Sequence, residues 1–82
     1  PQQVRIARYS VGKTLRALGQ VEKALAIQER LRVEREAARD PDGYVYEELA
    51  ECLLLLKRAA EAKPLFRRAH ELLARDEWLV KN

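Results

Sequence analysis

Apolar residues recur along most of this chain at steps of three and four, the spacing of one face of an α-helix. Val4, Ala7, Val11, Leu15 and Leu18 form the first series. It predicts a helix from about Gln3 to Leu18, ended by Gly19, since glycine takes the left-handed cap conformation without a Cβ penalty. Ala24, Leu25, Gln28 and Leu31 form the inward face of a second helix that opens at Val21. No breaker stands before Asp40-Pro41-Asp42-Gly43, the clearest turn in the chain, so this helix runs to Ala38 or Arg39. Its outer half, Arg30 to Arg39, alternates in charge and reads as solvent-exposed.

The stretch Leu49–Leu73 organises the second half of the chain. Cys52-Leu53-Leu54-Leu55-Leu56 is apolar on several sides and must be covered on several sides by other helices. Glu47, Glu48 and Glu51 precede this run and Lys57 and Arg58 come after it, which suits the two ends of one helix dipole. The helical spacing then resumes with Ala59, Ala62, Leu65, Phe66, Ala69, Leu72 and Leu73. The third and fourth helices thus form a hairpin that turns near Lys57–Ala59. Pro64 falls inside the fourth pattern and predicts a mild bend early in that helix. Arg75 to Asn82, with Trp78, Leu79 and Val80, is expected to open a capping helix over the flank of the fourth.

Composition narrows the class. Eighty-two residues with 48% hydrophobic and 35% charged side chains make one small all-α domain. One cysteine excludes an internal disulfide, and with no signal peptide or membrane span the expected setting is the cytoplasm. With Met 0 the chain reads as a piece of something longer. The net charge of +3 is unevenly spread: +5 over residues 1–39, −5 over 40–52 and +3 over 53–82. Neighbouring helices are expected to neutralise one another.

The chain also matches itself. A shift of 38, which carries residue 11 onto residue 49, places Val11-Gly12 on Leu49-Ala50, Leu15 on Leu53 and Leu18 on Leu56. The same shift places Ala24 on Ala62, Ile27 on Leu65, Arg30 on Arg68 and Leu31 on Ala69. Repetition at this period marks stacked helix pairs. Gly12, Ala24, Ala50 and Ala62 are then the points where two helices approach closely. Leu15, Leu53, Phe66 and Leu72 are expected in the core.

These residues resemble the tetratricopeptide repeat, in its longer, kinesin-light-chain-like form. Val11-Gly12, Leu15, Gly19, Val21, Ala24 and Leu31 occupy the pattern in the first repeat (about 5–39). Tyr46, Leu49-Ala50, Leu53, Ala59, Ala62, Phe66 and Ala69 do so in the second (about 43–74), with 75–82 as the cap. Five positions depart from the pattern: Arg8 and Gln28 where aromatics are usual, Lys57 for the turn glycine, and Glu36 and Ala74 for the closing proline. The resemblance implies two antiparallel hairpins stacked as a short α-solenoid. It also implies a protein-interaction module that holds a peptide or partner helix in a concave groove. Carried over by position, the groove residues are Ile6, Tyr9, Lys13 and Arg16, then Tyr44, Glu47, Glu48, Glu51, Leu54 and Leu55. Their charges predict a ligand with both signs around an apolar centre.

Other chemistry finds little support. Gly12-Lys13-Thr14 ends like a phosphate-binding loop, but Ala7 stands where its first glycine belongs and the context is helical. A single His70 and a single Cys52 assemble neither a metal cluster nor a nucleophile–base pair. No catalysis and no cofactor are expected. The cations are interleaved with glutamates, so neither nucleic acid nor membrane is an expected partner. The alternatives are a structural or oligomerisation spacer and, behind it, a basic nucleic-acid-binding segment. Two repeats alone leave flanks open, so stacking on further repeats or pairing with a second copy is expected.

Overall fold

A computed structural model describes residues 2–81, and the side chains of residues 3–78. Four helices succeed one another: α1 (Gln2–Ala17), α2 (Val21–Ala37), α3 (Gly43–Leu55) and α4 (Ala59–Lys81). No strand occurs among the described residues. α1 packs on α2, α2 on α3 and α3 on α4, and α1 also touches α3. The chain is therefore two helical hairpins stacked in order, with the first helix of each on a common side.

Local chemistry sets the helix ends. The Asp42 side chain accepts the Tyr44 N–H at 2.9 Å and caps the start of α3. α1, α2 and α3 each end in a residue of positive φ: Gly19 (85°), Arg39 (58°) and Lys57 (61°). In each case the next N–H bonds back five residues, Gln20 to Leu15, Asp40 to Arg35 and Arg58 to Leu53, which satisfies carbonyls the helix leaves open. Gly19 and Lys57 are related by the same shift of 38, as are the ends of α1 and α3 and the starts of α2 and α4. The repeat is a repeat of backbone shape as well as of sequence.

The core lies where α2, α3 and α4 meet. Leu31, Val45 and Leu49 form one buried cluster, with Tyr9, Leu25, Ile27 and Leu65 packed against it. Tyr46, Ala69 and Leu72 form a second, and Ala50, Leu53 and Ala62 a third that Phe66 also meets. Each fully buried leucine contributes roughly 1.5–3 kcal/mol. The small residues sit at the helix crossings as expected. A Cβ on Gly12 would stand 2.5 Å from Gln28 Nε2, so α1 and α2 approach closely only because Gly12 has none. Gln28 is fully buried beneath it and donates to the Tyr9 carbonyl at 3.0 Å.

Three expectations need correcting. Leu53 and Leu72 are buried, but Leu15 and Phe66 are only half-buried. The stripe from Val4 to Leu18 does not face the core. Ala7 is exposed, Val11 is 52% exposed and Leu18 68%, whereas Leu49, which the repeat pairs with Val11, is 1% exposed. α1 turns Gly12, Tyr9, Arg8 and Arg16 inward instead. Finally, α4 continues unbroken through Pro64, its sixth residue, to Lys81, so residues 75–81 prolong it and open no separate capping helix. That stretch has no glycine or proline to end a helix. Gly43 at the start of α3 already meets Leu73, so Trp78 lies past the first turn of α3 and is 62% exposed. The side chains of Leu79 and Val80 lie outside the described residues.

Candidate functional site

α1 and α3 lie side by side and leave a cleft of about 480 Å³ between them. α1 supplies Arg5, Ile6, Tyr9, Ser10 and Lys13, residues three to four apart that share one helical face. The first turn of α3 supplies Tyr44 and Val45, with Asp42 just before it. Leu31 and Arg35 of α2 complete the lining, with the buried Leu31 and Val45 as its apolar floor. The volume is within the range of pockets that hold small ligands or side chains.

The ten residues expected to line a groove divide into three sets. Ile6, Tyr9, Lys13 and Tyr44 line the cleft together. Arg16 and Glu48 are spent on each other: Arg16 donates from Nε at 2.6 Å and from Nη2 at 3.0 Å to the two carboxylate oxygens of Glu48. Glu48 is 3% exposed, so its charge is used within the fold rather than offered to a ligand. Glu47, Glu51, Leu54 and Leu55 lie farther along α3, outside the cleft; Glu51 is half-buried and the others are exposed.

Sequence reasoning missed Arg5, Ser10, Leu31, Arg35, Asp42 and Val45. Arg5 had a signal, standing one helical turn before Tyr9. Leu31 and Arg35 had none, because they reach the cleft from the second helix of the first hairpin.

The electrostatics are uneven. The Asp40 carboxylate takes a hydrogen bond from Arg35 at 2.8 Å and a looser ion pair from Arg5 at 3.8 Å. Among the described residues Lys13 makes neither ion pair nor hydrogen bond, and the hydroxyls of Tyr9 and Tyr44 have no hydrogen-bond partner. Burial, followed by the negative charges of Glu48, Glu47 and Asp42, pushes the Tyr9 phenol up from 10 to about 12. It remains a neutral O–H donor through the physiological range. The Glu48 hydrogen bond pushes Arg16 higher still, so that guanidinium is permanently charged.

Elsewhere the chain offers little reactive chemistry. Cys52 is buried, and burial pushes its thiol up, away from the reactive thiolate. No group of three or more metal-ligating side chains occurs among the described residues, and no described helix is long and apolar enough to cross a membrane. The cleft combines an apolar floor with donors and cations at its rim.

No protein-family model matches this chain, and no curated protein or solved structure matches it either.

Proposed function

We propose that this chain is a protein-interaction module of the tetratricopeptide-repeat kind, which holds a segment of a partner protein in the cleft between α1 and α3. The cleft carries this reading. Its apolar floor is preformed, and the hydroxyls of Tyr9 and Tyr44 and the ammonium of Lys13 stand at its rim without intramolecular partners among the described residues. Small residues at both helix crossings and the turn geometry repeated at Gly19 and Lys57 support the family. Selecting peptides from a random displayed library on the whole chain, then mapping them by amide chemical shifts, tests the reading. The expected shifts centre on Tyr9, Lys13 and Tyr44. Selected peptides that move only the outer faces of α2 and α4 would remove the cleft from consideration.

One observation favours a second contact. Shifted by 38, Ala7, Val11, Leu15 and Leu18 fall on Val45, Leu49, Leu53 and Leu56, none of which is exposed. The α3 set is covered by the preceding hairpin, and the α1 set has no such cover. We infer that a further helical hairpin packs there.

A further inference from the structure

The open stripe on α1 constrains what can cover it. In the second hairpin the equivalent surface is covered by Leu25 and Glu29 of α2, which meet Leu49, Leu53, Leu65 and Glu61. The shift of 38 turns Leu25 and Glu29 into Lys63 and Arg67. It turns the surface they meet into Val11, Leu15, Ile27 and Lys23. A copy stacked head to tail in the register of the repeat would therefore press two exposed cations onto apolar side chains beside a third. Lys23, Lys63 and Arg67 make no ion pair among the described residues, so nothing offsets the cost of burying them. Head-to-tail stacking of copies is disfavoured.

The stripe is instead complementary to itself. Val4, Ala7, Val11, Leu15 and Leu18 are placed symmetrically about Val11. Two α1 helices laid antiparallel, with Val11 on a two-fold axis, pair Val4 with Leu18, Ala7 with Leu15 and Val11 with Val11. Charge does not oppose this. Gln3, Ser10 and Thr14, which flank the stripe on the side away from Arg8, are exposed and uncharged. Arg5 and Lys13 line the cleft, Arg8 is held by Glu34 and Arg16 by Glu48. The antiparallel arrangement also sets the positive end of each helix beside the negative end of the other. Resting on the reading that a further helical hairpin packs on this stripe, we propose that the hairpin belongs to a second copy of this chain, joined through α1 about a two-fold axis at Val11. The same patch serves on both copies, so the contact closes at two and leaves both clefts open on the opposite side of α1. One helix from each copy makes a small interface, so the pair forms and separates reversibly.

The test places single cysteines on the 82-residue chain, with the buried Cys52 unchanged and the wild-type chain as control. Helix axes about 8–10 Å apart, with Cα atoms at a radius of about 2.3 Å, bring the two residue-11 Cα atoms to roughly 4–6 Å, within disulfide range. The two copies of residue 4 stand roughly 21 Å apart along the axes. In a glutathione redox buffer at high micromolar chain concentration, Val11→Cys is expected to form a linked dimer at least tenfold faster than Val4→Cys or Leu18→Cys alone. A mixture of the Val4→Cys and Leu18→Cys chains is expected to link mainly between the two variants. A Val4→Cys chain that links to itself as fast as Val11→Cys overturns the antiparallel two-fold. A dimer in which Val11→Cys links no faster than the wild type overturns the contact at α1. A chain that scatters light as a monomer at this concentration overturns the second copy. An apolar dye then separates the two readings. Dye bound by that monomer and lost in Val11→Glu leaves the further hairpin standing as a segment of another kind, and a monomer that binds none removes the further hairpin as well.

Discussion

Arg16 and Glu48 join the first helices of the two hairpins through a two-pronged hydrogen bond at 2.6 and 3.0 Å, across 32 residues of sequence. The Glu48 side chain is buried while the Arg16 side chain keeps a quarter of its surface in water. Removing one partner of a fully buried pair costs about 3–5 kcal/mol. With Arg16 able to reach solvent, Glu48→Ala is expected to cost about 2–3 kcal/mol by urea denaturation. Replacing both, as Arg16→Met with Glu48→Leu, is expected to recover most of that loss, since apolar groups of similar shape need no partner.

Gln28 is a weaker compromise. Its Nε2 is satisfied by the Tyr9 carbonyl, but its Oε1 is buried without a partner. An unsatisfied buried acceptor costs about 1–3 kcal/mol, more than one hydrogen bond returns. Gln28→Leu is therefore expected to leave stability unchanged or raise it by about 1 kcal/mol. Gly12→Ala acts in the opposite direction, because its new methyl would displace the Gln28 amide. It is expected to lower the urea midpoint despite the better helix propensity of alanine.

Arg39 and Lys57 hold left-handed backbone conformations that cost a side-chain-bearing residue about 1–2 kcal/mol. Lys57→Gly and Arg39→Gly are each expected to raise the melting temperature. Gly19→Ala, at the position the repeat pairs with Lys57, is expected to lower it.

The Tyr9 phenol gives the chain an alkaline limit. Its folded pKa of about 12 lies above the ordinary 10, so the native state holds this proton more tightly than the unfolded chain does. The associated stability is fully present below pH 10 and is lost as pH rises from 10 toward 12. Tyr9→Phe is expected to flatten stability over that window, measured by denaturant midpoints from about pH 9 to 12.

Helix existence and ends were legible because the signals are local: three- and four-residue spacing, Gly19, and the Asp-Pro-Asp-Gly turn. Lys57 became legible through the repeat, which sets it opposite Gly19. The orientation of α1 was not. Val4, Ala7, Val11, Leu15 and Leu18 have the period of a buried face, and period alone does not say what lies opposite. The tertiary packing chose the face bearing Gly12, where α2 comes closest, over the face with more methyl groups. Arg8, which stands where the resembled pattern usually has a ring, forms a fork with Glu34 of α2 at 2.6 and 3.0 Å. Four of the ten expected groove residues reach the cleft, because helical spacing places side chains on a face. It does not reveal that Arg16 and Glu48 find each other, nor that α2 supplies Leu31 to the floor.

The exposed stripe on α1 makes the last prediction. Exposed apolar patches of several hundred Å² are seldom left on monomers, and here Val4 and Val11 on α1 and Leu18 just past its end are each more than half exposed. The internal repeat shows what suits such a stripe. The equivalent residues of α3, Val45 and Leu49, are covered by Leu31 of α2, with Tyr9 and Ile27 beside it. A second copy can offer helical hairpins of the same kind. The isolated chain is therefore expected to self-associate at high micromolar concentration in light scattering, with a concentration-dependent melting temperature. Val11→Glu on this stripe is expected to return it to a monomer without changing the helical content, since Val11 is more than half exposed. A wild-type chain that stays monomeric and melts at one temperature over a hundredfold range of concentration would show that α1 tolerates its exposed face.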